Sequence, residues 1–146
     1  MADFEFKAVN RTMLEDIRVI ERYCFYPYLY RSTRYFARKI LAGNFVAVYI
    51  EQTCAGYISL TRHRSFLEIS DLAVDIRFRR LHVATAMLEW AIRRCIYLHV
   101  AKLRLVVDEE NECAVKLYTK FGFSFLRSRK NYYGLRNGLV MVLRIR

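Results

Sequence analysis

The chain holds one proline, Pro27, and five glycines among its 146 residues, too few for a flexible linker or a low-complexity tract, and it shows no internal repeat. Its four cysteines, Cys24, Cys54, Cys95 and Cys113, include no C-x-x-C pair, and His63, His82 and His99 fall at no metal-ligand spacing with them. These absences argue against a disulfide-stapled scaffold and against a metal site. They leave the cysteines as free, buried thiols in a reducing compartment. The longest apolar runs, such as Phe45 to Ile50, are strand-length, whereas a membrane span needs about 20 residues. The first residues, Met-Ala-Asp-Phe-Glu-Phe, carry acid where a secretory signal carries base, and no apolar stretch follows. The expectation is one cytoplasmic domain over residues 1–146 with no membrane contact.

What is present is a core and a charge. Hydrophobic residues make up 55% of the chain, enough to bury a core in one domain of this size. Lys plus Arg number 25 against 14 Asp plus Glu, a formal charge of +11. That balance points to an anionic ligand, a nucleic acid or a polyanionic assembly, without choosing among them.

Met13, Ile17 and Ile20 recur at helical spacing, so a helix runs from Thr12, as N-cap, to about Tyr23, with Glu15 completing a capping box. After the aromatic turn around Pro27, Ser32 or Thr33 opens a second helix that Gly43 stops. Phe45 to Ile50 and Gly56 to Thr61 read as a hairpin turning near Gln52-Thr53, and Phe66 to Val74 as a third strand. Ala84, Met87, Leu88, Ala91, Ile92 and Cys95 form the stripe of a helix from about His82 to Tyr97, and Leu103 to Val107 is the strand after it. Strand, helix, strand at this length is a βαβ crossover with parallel flanking strands. Asn111 caps a fourth helix whose buried side uses Ala114, Leu117, Tyr118 and Phe121 and whose C′ residue is Gly122. Phe123 to Ser128 and Leu139 to Ile145 close the chain as antiparallel strands around a loop from Asn131 to Gly138. The fold class is α/β with a mixed sheet.

The segment Val74-Asp75-Ile76-Arg77-Phe78-Arg79-Arg80-Leu81-His82-Val83-Ala84 joins the third strand to its helix. A helix N-terminus offers unpaired N–H groups and a positive dipole end, so such a loop can cradle phosphate with arginines adding charge-assisted bonds. Basic residues at a strand-to-helix turn are also commonly just solvated. In context the segment resembles the acetyl-coenzyme A loop of the GNAT family of N-acetyltransferases, Q/R-x-x-G-x-G/A, with Arg79, His82 and Ala84 on its three signature positions. Asn111 through Phe123 is similar to the family's N-x-x-A-x-x-L-Y-x-x-x-G-F segment at every stated position, and with Gly56-Tyr57 the resemblance covers essentially the whole chain. It implies a GNAT-like fold, mostly antiparallel with a central parallel crossover and about four helices. It also implies acetyl-coenzyme A as cosubstrate and no metal. Leu72, Ala73, Val74, Arg79, Arg80, Leu81, His82, Val83, Ala84, Thr85, Asn111, Ala114 and Tyr118 fall at its cofactor-binding positions.

One departure is His82, where the family carries glycine. Glycine there lets the backbone approach pyrophosphate; histidine tolerates unusual backbone angles better than a β-branched residue, and its ring can itself donate to phosphate. Ile20-Glu21 with Phe25-Tyr26-Pro27-Tyr28, and Asn131-Tyr132-Tyr133 with Gly138 to Met141, resemble the RimI-like and Ard1-like N-terminal protein acetyltransferases. The resemblance makes Tyr28, Tyr132 and Tyr133 the substrate-binding residues, Tyr118 the proton donor to the leaving thiolate, and a backbone N–H near Val74 the oxyanion donor. Glu68 is the candidate base, and it reads equally well as a surface carboxylate paired with an arginine. Asp71 is the reserve, pointing to the other sheet face. RimI-like enzymes tend to carry a glutamate where this chain has the apolar Val106.

A base of little strength suffices for an α-amine, which with a pKa near 8 is roughly 10% neutral at pH 7, whereas a lysine amine is neutral to about 0.04%. The expected activity is therefore acetyl transfer to a protein N-terminus, ribosomal proteins among the candidates, by direct attack in a ternary complex. Competing readings are a small-amine acetyltransferase acting on polyamines or antibiotics, and a non-catalytic basic RNA- or ribosome-binding scaffold. No separate nucleic-acid motif is present, so nucleic acid is not the expected substrate.

Overall fold

The structure, a computed structural model, describes residues 3–24 and 30–146. The strands are β1 (Glu5–Ala8), β2 (Phe45–Ile50), β3 (Thr53–Arg62), β4 (Leu67–Val74), β5 (Lys102–Asp108), β6 (Ser124–Tyr133) and β7 (Arg136–Arg144). The helices are α1 (Leu14–Cys24), α2 (Thr33–Ala42), α3 (Val83–Tyr97) and α4 (Glu112–Phe121). The strands hydrogen-bond in the order β1-β2-β3-β4-β5-β7-β6, and β4 runs parallel to β5. This is the mixed α/β sheet with one parallel crossover that the sequence predicts. Among the described residues no helix is long and apolar enough to cross a membrane. The chain divides into two compact units, residues 1–60 with 70–90, and residues 61–69 with 91–146.

In the first unit Ile17 and Ile20 of α1 and Phe36 of α2 pack with Phe45, Ala47, Tyr57 and Ala73 in one apolar cluster. The Phe36 ring stacks on Phe45 at 5.9 Å and meets Tyr57 edge-on at 6.4 Å, geometries that aromatic quadrupoles favour. The first helix is capped differently from the expectation: Asn10, not Thr12, accepts the Thr12 N–H at 3.0 Å and opens a short 3-10 turn, Arg11–Met13, ahead of α1. Asn and Ser are stronger caps than Thr, and the earlier asparagine wins. Strand β1 has no counterpart in the sequence reading, because only Phe6 of its four residues is even half-buried and no alternation shows. The β2–β3 turn comes one residue early, at Glu51 and Gln52, both left-handed (φ +48° and +69°) as a two-residue hairpin requires.

This unit also buries charge. Glu21, fully buried, accepts from Arg18 (2.6 Å) and from the Arg31 N–H (2.6 Å). Asp71, 3% exposed, accepts from Arg31 Nε at 3.1 Å, from the Tyr35 hydroxyl at 2.7 Å and from the Ser59 hydroxyl at 2.5 Å. Removing one partner from such a network costs about 3–5 kcal/mol, since a buried charge is left uncompensated.

In the second unit β5 pairs antiparallel with β7 from Lys102↔Arg144 to Asp108↔Gly138, and β7 pairs with β6. The predicted loop from Asn131 to Gly138 is replaced by strand on both sides of a turn at Gly134 and Leu135, with Tyr133 opposite Arg136. The polar run looks like a loop, but cross-strand pairing overrides propensity there, and the left-handed Asn131 (φ +55°) sits where the register shifts. The cysteines are all free, yet only Cys54 and Cys95 are buried; Cys24 is half-buried and Cys113 exposed. Cys113 precedes the buried stripe of α4 and faces out, which corrects the expectation of four buried thiols.

Candidate active site

The loop between β4 and α3 is built entirely within the first unit. Along β4 burial alternates, so Asp71 and Ala73 point into the core while Leu72 and Val74 lie half-buried on the other side. A Cβ on Gly56 would stand 2.6 Å from the Ala73 carbonyl oxygen, so β3 approaches the end of β4 at a distance only glycine allows. The Asp75 N–H then bonds the Ala55 carbonyl at 2.8 Å, and the Asp75 carboxylate caps the 3-10 turn Ile76–Phe78 by accepting the Arg77 N–H at 2.8 Å. Hydrogen bonds from the Arg77 guanidinium, 2.8 Å at the closer oxygen, hold the Asp75 carboxyl below the ordinary carboxylate range.

Beyond this cap the backbone turns twice into the left-handed region, at Arg80 (φ +64°) and at His82 (φ +65°). The second is the position where the family motif has glycine, and histidine is one of the few side chains that enter this conformation at modest cost. Successive backbone N–H groups in a turn of this kind can form an anion-binding concavity. The first intrahelical bond of α3 here runs from the Ala86 N–H to the His82 carbonyl at 3.0 Å, and the N–H groups of a helix's first turn have no partner within it. Arg79, Arg80, Leu81 and His82 are exposed, and Val83 is buried as the anchor of the helix start. The Arg79 guanidinium donates to the Val74 carbonyl at 3.4 Å and reaches the Cys24 sulfur at 3.6 Å. Burial raises the Cys24 thiol pKa, with Arg79 opposing it. The residues present thus fit a phosphate-bearing ligand: a left-handed turn, the first turn of a helix and two exposed arginines.

In the second unit Asn111 caps α4, its side-chain oxygen accepting the Ala114 N–H at 3.2 Å, and left-handed Gly122 (φ +103°) ends the helix. Tyr118 is buried against Phe123 (ring centroids 5.7 Å), and its hydroxyl has no hydrogen-bond partner among the described residues. Burial pushes its pKa up to about 12. Full proton transfer to a thiolate of ordinary pKa near 8.5 would then be uphill by about 3.5 pKa units, roughly 5 kcal/mol. The hydroxyl is suited to donate a hydrogen bond to a thiolate and keep its proton.

The two carboxylates weighed as base separate. Asp71 points to the opposite face from Glu68, as strand alternation predicts, and both its oxygens are taken by Arg31, Tyr35 and Ser59. Glu68, at the start of β4 in the second unit, is paired in register with Arg104 of β5, and its Oε1 lies 2.9 Å from His63 Nε2. His63 escaped the sequence reading because it meets Glu68 only when the hairpin between β3 and β4 closes. Tyr132 and Tyr133 pack edge-to-face (4.9 Å, 77°), and the Tyr133 hydroxyl donates to the Val106 carbonyl at 3.0 Å. Gly138 makes room there, since a Cβ on it would lie 2.6 Å from the Val106 side chain and 3.1 Å from Tyr132. Tyr28 lies outside the described residues.

A zebrafish (Danio rerio) N-alpha-acetyltransferase 50 is 33% identical over 81 residues, 50% of this chain and 44% of that protein. The L-amino acid N-acetyltransferase AaaT of Escherichia coli K12 is 36% identical over 76 residues, 51% of this chain and 46% of that protein. The matched stretch thus spans less than half the length of either relative. In fold, the crystal structure of Ard1 from Thermoplasma volcanium superposes with a TM-score of 0.89 at 22% identity, covering 98% of each chain. The model of the acetyltransferase (GNAT) family matches residues 10–123, well over half of the sequence, and the chain belongs to that family of N-acetyltransferases.

Proposed function

We propose that residues 1–146 act as one N-acetyltransferase domain that moves acetyl from acetyl-coenzyme A to the α-amine of a protein N-terminus, ribosomal proteins among the candidate acceptors. Acetyl-coenzyme A supplies the acetyl group as a thioester, activated for direct attack in a ternary complex. The observation that carries the reading is the left-handed turn at Arg80 and His82 directly ahead of α3, at the position of the family's cofactor glycine.

Leu72, Ala73 and Val74 line the acyl carrier with backbone groups, and an N–H near Val74 meets the oxyanion. Arg79 through Thr85 bind phosphate through main-chain donors, with Arg79 and Arg80 adding charge-assisted bonds. Asn111 and Ala114 hold the start of α4 in place for the carrier, and Tyr118 steadies the departing thiolate by hydrogen bonding. Glu68, the base expected from the sequence, stands on regular strand about 20 Å before Val74, too far to take the amine proton, so the proton passes to water from an α-amine that is already partly neutral. Tyr28, Tyr132 and Tyr133 bind the acceptor. The free cysteines fit a reducing cytoplasm, and the transfer requires none of them.

The apolar Val106 favours an α-amine acceptor, because an amine that is already partly neutral at pH 7 asks little of a base. The test is acetyl-coenzyme A turnover against peptides differing at residue one, with N-terminally blocked, lysine-containing peptides and free amino acids as separate arms. The proposal expects turnover with free peptide N-termini. Turnover confined to blocked lysine peptides overturns it. Turnover confined to free amino acids, the acceptor class in the name of the bacterial relative, replaces the protein acceptor with a small one.

A further inference from the structure

We infer that the second compact unit carries a docking surface for the phosphodiester backbone of a nucleic acid, in addition to acetyl transfer and independent of it. The charge of the chain is unevenly shared. The second unit holds 14 Lys and Arg against 5 Asp and Glu, a net +9, whereas the first holds 11 against 9, a net +2. Four of the five acids, Asp108, Glu109, Glu110 and Glu112, sit together where β5 ends and α4 begins, and Asp108 is paired with Arg136 at 2.7 Å. The fifth, Glu68, has its Oε1 2.9 Å from His63 Nε2. The rest of the unit carries cations alone. Clustering of this kind is the electrostatic footprint of a polyanion site.

Strand pairing gathers five of these cations on one face of the sheet. Leu103, Leu105 and Val107 are buried on one side of β5, and the end of α4 lies on that side, with Gly122 against Leu143, the partner of Leu103. Lys102 and Arg104 alternate to the other side. Residues directly opposite in a strand pair share a face, and Lys102 is opposite Arg144. Arg127 and Arg129 stand opposite Val140 and Gly138, which are in turn opposite Val106 and Asp108. Arg127, Arg129 and Arg144 are exposed, Lys102 and Arg104 half-buried, and none of the five forms an ion pair among the described residues. Arg104 is in register with Glu68, yet its guanidinium lies over the Phe66 ring at 4.3 Å, which holds the cation without neutralising it. Strand β6 is the last of the sheet and its first eight residues are exposed, so a ligand can run along it. Val106, Val140 and Val142 between the cations are buried or half-buried, and exposed Phe125, opposite Met141, belongs to the other face. This face thus offers charge and not the apolar anchor that a membrane or a protein partner uses. Arginine forks repeated along strands suit a backbone of repeated single negative charges.

The test is fluorescence anisotropy of a labelled RNA oligonucleotide, and separately of a DNA oligonucleotide of the same sequence, titrated with three proteins. These are the wild type, Arg127→Gln/Arg144→Gln, and Arg34→Gln/Arg38→Gln, which removes the same charge from exposed residues of the first unit. The wild type is expected to bind at about 0.1 M salt, with affinity that falls as salt rises, because phosphate contacts release counterions. Arg127→Gln/Arg144→Gln should bind about tenfold more weakly, with the slope of log affinity against log salt shallower by about 1.5. Arg34→Gln/Arg38→Gln should change Kd by less than about twofold. All three substituted positions that bear on folding are on the surface, and matching thermal melts exclude unfolding as the cause of a loss. The tighter of the RNA and DNA arms identifies the ligand. No binding to either oligonucleotide, binding to phosphatidylserine vesicles alone, or equal weakening by the two pairs, which would make net charge the whole cause, overturns the proposal.

Discussion

Gly56 lies against the carbonyl oxygen of Ala73 so closely that a Cβ there would stand 2.6 Å away, with the Val74 α-carbon and the Met87 side chain each at 3.4 Å. The obstacle at 2.6 Å is backbone, so a methyl group cannot be absorbed by a rotamer change. Gly56→Ala should destabilise the fold by about 1–3 kcal/mol, the usual cost of overpacking. It should also shift the end of β4, where the oxyanion donor is proposed. Denaturant unfolding and kcat measured together check this: lost stability with an unchanged kcat would detach the strand end from catalysis.

The left-handed His82 carries a conformational cost that glycine lacks, about 1–2 kcal/mol for an L-residue. His82→Gly should therefore be neutral to stabilising by about 1 kcal/mol once the extra flexibility of the unfolded chain is offset. His82→Val should destabilise by about 1 kcal/mol or more, because a branched Cβ is least tolerant of positive φ. Thermal melts of the three proteins give the order Gly, His, Val if the turn is as described, and coenzyme A affinity should follow the same order.

Tyr118, with its pKa pushed up to about 12 by burial, stays protonated across the range in which an enzyme of this kind is assayed. The pH profile of kcat should show no descending limb from this group between about pH 8 and 10, where an ordinary tyrosine near 10 would begin to lose its proton. Tyr118→Phe should lower kcat about 10- to 100-fold, the worth of a hydrogen bond to a charged group. Undiminished turnover in Tyr118→Phe would remove the residue from the mechanism.

Asp75 has its pKa lowered in the folded chain, chiefly by the Arg77 side chain. A depressed carboxyl pKa adds stability that is fully present above its unfolded value, near 3.9, and is lost as the pH falls through the lower folded value. Asp75→Asn should therefore be less stable than wild type at pH 7, and the gap should narrow below about pH 4. Urea midpoints at both pH values test this, and a gap independent of pH would mean that Asp75 acts by packing and shape alone.

Much of this was legible in the sequence wherever the determinant is short-range. Asn111 and Gly122 mark both ends of α4, and the structure places the cap bond and the left-handed residue there. Likewise the β4 alternation that separates Glu68 from Asp71 follows from strand geometry alone. His82 announces its own strain by standing where glycine is expected. What stayed hidden depends on which segments meet. Asp71 is committed to Arg31 and Tyr35, some 40 and 36 residues away in sequence, and no local pattern shows that. His63 reaches Glu68 only through the turn, and Tyr132 and Tyr133 lie in a strand because β7 pairs with it, against a local composition that reads as loop.

The account's central claim is that the left-handed turn and the start of α3 seat the phosphates of coenzyme A. Isothermal titration calorimetry of coenzyme A with the wild type and with Arg79→Ala/Arg80→Ala tests it most directly. One-to-one binding to the wild type, weakened about 10- to 100-fold in the double variant, is the predicted result. No binding to the wild type, or equal affinity for both proteins, would contradict it.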